Sequence, residues 1–303
     1  MMAGRYALPR PSPDRSQVVV PAPGEGSGCW AGGPTATIDS QGIFWLAYRL
    51  RRPVGAGRGY ANVVARSADG VEFETVTVLN REEFDCDSLE RPALVGAHDG
   101  TWRLYVSCAT AGTKHWRVDV LVADDPSTFR SGSATTVLPG DDLVGVKDPV
   151  VKNDGDRWHI WLCCHPLDLP DDTDRMYTRY GTSTDGLHWD LRGVALAGRP
   201  GSWDQRGTRV AEVVHREGRW LAYYDGRADK EENAEERTGF AVGGDPGVLV
   251  AEDGCVGAWP DGQGSLRYVS LVRLPDGGAR LYYETSRRDG AHDLRTEYVP
   301  PSR

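Results

Sequence analysis

No stretch of this 303-residue chain approaches the roughly 18 apolar residues that a membrane-spanning helix needs. The opening segment, MMAGRYALPRPSPDRSQVVV, lacks the continuous apolar core of a secretory signal. These two absences predict a cytoplasmic protein with no membrane partner. Cysteines are few: Cys29, Cys86, Cys108, Cys163, Cys164 and Cys255, with no C-x-x-C pair. That spacing argues against a disulfide scaffold or a zinc site, so reduced thiols and no metal are expected. The basic residues form no run, and the formal net charge is −9. A phosphate backbone would meet no matching surface, which excludes nucleic acid as a partner. No cofactor is expected either.

Turn-formers are abundant instead, with 37 glycines and 19 prolines, well above the roughly 12% of an ordinary chain. Long helices are therefore not expected. Hydrophobic residues make up 39% and charged residues 26%, a balance that supports a buried core and excludes disorder throughout.

The glycines are periodic. A turn followed by an aromatic-rich run recurs as DSQGIFWLAYR (39–49), HDGTWRLYVSC (98–108), NDGDRWHIWLC (153–163), REGRWLAYYDG (216–226) and PDGGARLYYET (275–285). The turn glycines Gly42, Gly100, Gly155, Gly218 and Gly277 lie 58, 55, 63 and 59 residues apart. Four units carry a second tag downstream: RSADGVEFE, VADDPSTFR, STDGLHWD and AEDGCVGAW. A short strand precedes each turn, in GGPTATI, ERPALVG, KDPVVKN, RVAEVVH and RYVSLVR. Hairpins at this spacing predict an all-β fold, a five-bladed β-propeller of four-stranded antiparallel blades. The fifth unit lacks its outer tag, so SQVVVP (16–21) is expected to complete that blade and close the ring. Residues 1–15, with Pro9, Pro11 and Pro13, then form an extended arm, and 16–303 a single domain. The charged run ADKEENAEER (228–237) reads as a solvated insertion or a short helix.

The first strand of each blade faces the axis, and its start lies near one mouth. Read there, the units give Gly33-Pro34, Glu90-Arg91-Pro92, Lys147-Asp148-Pro149, Arg209 with Glu212, and Tyr268 with Ser270. Charge at such positions costs several kcal/mol unless it is paired or faces a solvated pocket, which points to a functional funnel.

This pattern resembles the five-bladed propeller glycosidases: the arabinanase and β-xylosidase group, the invertase and levansucrase group, and the β-mannoside phosphorylases. Those families carry an R-D-P or E-D-P tripeptide on an inner strand, a separate glutamate on a later blade, and S-x-D-G-x-x-W turns. The matches are KDPVV with Asp148, EVV with Glu212, and the tags Ser67–Phe73 and Ser183–Trp189. The resemblance implies cleavage or transfer of a glycosidic bond, with Glu212 as acid and Asp148 as base or stabiliser. Read alone, Asp148 could cap a turn before Pro149, and Glu212 could pair with Arg209. Where the hydrolases carry an aspartate in the first blade, this chain reads CWAGGPTATI, and Glu90 is the candidate substitute.

Arg49, Arg91, Lys147, Arg209 and Arg227 fall at or just past inner-strand ends, with His165 close in phase. Five cations together favour phosphate or another anion, which in the phosphorylases replaces water as nucleophile. Trp30 and Trp203, each read as lying in a Gly-rich entry loop rather than in a strand, are candidates to stack on a carbohydrate. The expectation is thus a glycoside hydrolase or phosphorylase acting on a small-molecule carbohydrate. The alternative is a propeller repurposed as a biosynthetic-pathway enzyme or a non-catalytic carbohydrate-binding protein.

Overall fold

The computed structural model describes residues 8–113, 115–258 and 264–301. It is all-β: among the described residues there is no α-helix, only short 3-10 turns. No helix there is long and apolar enough to cross a membrane. The strands are β1 (Gln17–Val20), β2 (Trp30–Ile38), β3 (Phe44–Arg51), β4 (Gly59–Ser67) and β5 (Glu74–Asn80), then β6 (Cys86–Leu89), β7 (Ala93–Gly96), β8 (Trp102–Thr110), β9 (Trp116–Ala123) and β10 (Thr135–Leu138). There follow β11 (Val144–Asn153), β12 (Trp158–Pro166), β13 (Tyr177–Ser183) and β14 (Asp190–Leu196), and then β15 (Gly207–Arg216), β16 (Arg219–Arg227), β17 (Arg237–Asp245) and β18 (Val248–Ala251). The last three are β19 (Leu266–Arg273), β20 (Ala279–Ser286) and β21 (His292–Val299).

Strands β11–β14 and β15–β18 form two four-stranded antiparallel meanders. In a third sheet β6 and β7 both pair with β8 as two halves of one strand, interrupted at Glu90-Arg91-Pro92. The remaining sheet runs β19-β20-β21-β2-β3-β4-β5, with β1 on the far side of β21. A single parallel bridge, Trp30 to His292, joins its two halves.

The repeat signals act as read. All five turn glycines have positive φ, from 75° at Gly218 to 103° at Gly155, where a side chain would be strained. Each S-x-D-G tag is self-capped: Ser67 Oγ accepts from Gly70 N at 2.9 Å, and Ser183 Oγ from Gly186 N at 2.9 Å. The tags then dock on the adjoining sheet, through Tyr282 to Gly70 O and Tyr105 to Gly186 O, both 2.8 Å. Strand β1 pairs with β21, placing Val18 opposite Arg295 and Val20 opposite Leu294. Ahead of it, Leu8 is buried beside Ala211 and Tyr223, and Pro9 O accepts from the Tyr223 hydroxyl.

The inner strands pack in a closed circuit: β2 on β7, β7 on β11, β11 on β15, β15 on β19, and β19 on β2. Each departs from regular pairing at its middle, between Gly32 and Thr35, Leu89 and Ala93, Lys147 and Val150, Val210 and Glu212, and Arg267 and Ser270. A bulge of this kind redirects the side chains it contains. Here it sets what faces the axis.

Candidate active site at the axis

The bulges include Gly33, Arg91, Asp148, Ala211 and Tyr268, one from each. Three have left-handed backbones: Gly33 at φ 58°, Asp148 at 51° and Tyr268 at 56°. For Asp148 and Tyr268 this is strain of about 1–3 kcal/mol each, held by the surrounding fold, and such strain clusters at functional positions. The two meet although 120 residues apart: the Tyr268 hydroxyl donates to Asp148 Oδ2 at 3.2 Å. Asp148 Oδ1 accepts from Arg91 N at 3.2 Å, and Asp148 N donates to Ser107 Oγ at 2.9 Å.

Around this pair lies a buried lattice of ions. Arg209 donates to Asp148 Oδ2 at 3.3 Å and to Asp225 Oδ2 at 2.9 Å, while Asp225 Oδ1 accepts from Tyr268 N at 3.0 Å. Arg49 pairs with Glu90 and, at 3.2 Å, with Glu284. Arg267 pairs with Glu236 and, at 2.6 Å, with Glu284; Arg227 donates to Glu236 Oε1 at 2.8 Å. All of these groups are at most 3% exposed. Four guanidinium groups surround the Tyr268 ring, with Arg209 at 3.8 Å from its centroid, Arg267 at 5.2, Arg49 at 5.7 and Arg91 at 5.8 Å.

Burial alone would raise the carboxyl groups of Glu90, Glu236, Glu284 and Asp225. At Glu90 the cations of Arg49, Arg51 and Lys147 outweigh it and hold the group well below the carboxylate range; Arg267, Arg209 and Arg227 do the same at Glu236, and Arg267 and Arg49 at Glu284. Asp225 goes the other way. Burial dominates over Arg209, and Glu236 adds repulsion, so its carboxyl is raised.

Most of the sequence-derived candidates gather here. Asp148, Glu90, Arg49, Arg91, Arg209 and Arg227 belong to the lattice. Lys147 lies at its rim, with Nζ 4.8 Å from the Trp116 ring. His165 Nδ1 donates to Thr173 O at 3.0 Å; burial, then Lys147, hold its imidazole well below its ordinary value and hence neutral. Trp30 starts β2 rather than sitting in a loop, with Nε1 donating to Gly290 O at 3.1 Å. Its ring is covered by His292, stacked at 4.7 Å, and Arg51 at 4.4 Å.

Two candidates fall outside the ion pairs of the lattice, although Glu212 is the foremost charge acting on Arg91. Trp203 stacks on Tyr224 at 5.7 Å, under Arg237. Glu212 falls one register step past the bulge, where Ala211 holds the position that Asp148 has in its own strand. Its carboxylate pairs with Lys152, not Arg209, and accepts from Ser270 Oγ at 3.1 Å and Val213 N at 3.0 Å. It borders a cleft of about 370 Å³ with Lys152, His215 and Trp220.

Sequence reading overlooked Asp225, Glu236, Glu284 and Arg267. A usable signal existed, since Arg49, Ser107, Asp225 and Glu284 each stand seven residues after Gly42, Gly100, Gly218 and Gly277. Aligning second strands as well as first would have exposed that column. Glu236 lies in the charged run, which is neither wholly solvated nor helical: Glu236 is 2% exposed and pairs with three arginines.

The absent first-blade carboxylate has a spatial replacement. Gly33 N donates to Glu284 Oε2 at 3.0 Å, and a Cβ on Gly32 would lie 1.9 Å from that same oxygen. The glycines leave room for a carboxylate delivered by β20. Among the described residues no group of three or more His, Cys, Asp or Glu could hold a metal ion.

No protein-family model and no curated protein sequence matches the chain. Solved structures do. A glycosyl hydrolase from Bacteroides ovatus is 15% identical at a TM-score of 0.68, covering 98% of this chain and 94% of that one. The β-1,2-mannobiose phosphorylase from Listeria innocua, in complex with β-1,2-mannobiose, is 14% identical at 0.64, covering 96% and 92%. The GH43_1 enzyme from Xanthomonas citri, complexed with xylose, is 13% identical at 0.65, covering 93% and 89%. At this identity the likeness is one of architecture, and the chain has the fold of the propeller glycoside hydrolases and mannoside phosphorylases.

Proposed function

We propose that this protein is a carbohydrate-active enzyme, a five-bladed propeller that cleaves or transfers a glycosidic bond at its axis. The blade count follows from reading the eight-stranded sheet as two blades, β2–β5 and β19–β21 with β1, and the circuit of five inner strands supports it. One observation carries the activity: Asp148, in a strained left-handed conformation, is bonded to Tyr268 and shares Arg209 with a second buried carboxyl group, Asp225. Two carboxyl groups brought together in a polar site are what glycosidic cleavage uses. The fold shared with glycoside hydrolases and mannoside phosphorylases supports the same class.

An anion as co-substrate or substrate group is part of this reading. Among the described residues the Arg91 guanidinium donates to the backbone carbonyls of Pro34 and Ala211, and its Nη1 is buried without an acceptor. A cytoplasmic setting is proposed too, supported by the six free cysteines. The burial of the axial charges is the one feature favouring a repurposed, non-cleaving propeller. Turnover of a panel of aryl glycosides, with and without inorganic phosphate, tests the reading: phosphate-dependent release means phosphorolysis, independent release hydrolysis, and no release from any member removes the proposal.

A further inference from the structure

The carboxylate chemistry leaves the central group of the axis unused. Tyr268 stands at the bulge position that Asp148 occupies in β11 and Gly33 in β2, in the same left-handed conformation. That geometry turns its ring onto the axis and brings the hydroxyl within hydrogen-bond reach of Asp148 Oδ2. Asp148 is itself oriented by Arg91 N and Arg209. A nucleophile bonded to a base, and a base fixed by further donors, is the arrangement of covalent catalysis. The four guanidinium groups around the ring would stabilise negative charge developing on the phenolic oxygen.

We propose that Tyr268 is the nucleophile of this site, with Asp148 as its base; this rests on the glycosidic reading above. In the first step the Tyr268 O–H proton passes to Asp148 Oδ2 as the phenolic oxygen bonds to the anomeric carbon. The bond from that carbon to the leaving oxygen breaks with its electron pair, and the leaving group departs as an aryloxide that takes its proton from solvent. In the second step water attacks the anomeric carbon and gives its proton to solvent, or an anion such as phosphate attacks directly. The bond from the anomeric carbon to Tyr268 breaks, and Asp148 returns the proton. Two displacements leave the anomeric configuration unchanged. Burial pushes the Tyr268 phenol above its ordinary value against the pull of Arg209, so the resting group is neutral and reacts only with its base in place. The residue thereby supplies what the first blade lacks, a nucleophile reached without a second ionised carboxylate on the axis.

The test uses the full-length protein and aryl β-mannosides, β-xylosides and α-arabinofuranosides. For the responding glycone, Tyr268→Phe is expected to fold with an unchanged far-ultraviolet spectrum and to lose about 10³-fold or more in turnover. Proton NMR should show a first-formed product of retained configuration, and an activated fluorosugar should add one glycosyl group to the peptide containing Tyr268. Inversion, a label on a carboxylate, or a Tyr268→Phe rate within tenfold of wild type overturns this assignment and leaves the glycosidic reading standing. No turnover by the wild type on any glycoside overturns both.

Discussion

Gly33 donates its backbone N–H to Glu284 Oε2 at 3.0 Å, so a residue with no side chain anchors a carboxylate that arrives from a different strand. A carboxylate restored at the sequence position where the hydrolases carry one should therefore fail. Gly33→Asp must adopt φ near 58°, with its Cβ 3.2 Å from that of Arg91 and its charge beside Glu284. We expect a loss of about 2–4 kcal/mol in urea unfolding and no gain in glycoside turnover. A stable and more active variant would refute the spatial replacement.

Asp148 and Glu212 should separate under substitution. Asp148→Asn removes the acceptor of Tyr268 and is expected to lower turnover at least about 100-fold, with about 1–3 kcal/mol of destabilisation because Arg209 keeps Asp225. Glu212→Gln weakens bonds to Lys152, Ser270 and Val213, and should cost similar stability while the folded fraction turns over within a few-fold of wild type. Kinetics normalised to active-site titre decide the matter. An orders-of-magnitude loss in Glu212→Gln would return that residue to the role of acid.

Acid should destabilise the protein in two stages. His165 is held neutral below its ordinary value of 6.5, so unfolding takes up its proton, and its contribution, complete above about pH 6.5, declines as pH falls below it. Glu90, Glu236 and Glu284 are held below 4.5, so their contribution is complete above that value and declines as pH drops further. Melting temperature recorded from about pH 8 down to about pH 2 should fall through both ranges. His165→Gln should flatten the upper one and leave the lower; an unaltered upper limb would contradict the assignment.

Inorganic phosphate should raise the melting temperature by a few degrees at tenfold excess over Kd, measured against chloride of equal ionic strength. Arg91→Met, which removes the buried Nη1, should abolish the shift. An identical melting curve in both salts would limit the axial arginines to bracing Glu90, Asp148 and Glu284.

The repeat, its turn glycines and the closing strand were legible because local chemistry fixes each of them. Gly42 and its four counterparts need positive φ, and β1 has strand character with no partner nearby in sequence. Asp148 was legible from its X-D-P context. The rest of the lattice was obscured by two physical facts. The bulges differ in content, so counting along β15 gives Glu212 where the fold presents Ala211. And the ion pairs join residues of different sheets, as Arg49 with Glu90 and Arg267 with Glu236, so no short window contains both partners.

Strand β1 lies against β21, and Arg295 bonds Ser16 across 279 residues of chain. Strand β1 thus finds its neighbour only when β21, far along the sequence, is in place beside β20. Until then that edge of β21 stays open and β1 is an unpaired strand. Contacts of such sequence separation form slowly. Closure is therefore a late event in folding, and the interval before it is when a second copy could lend its own β1 to the vacant edge.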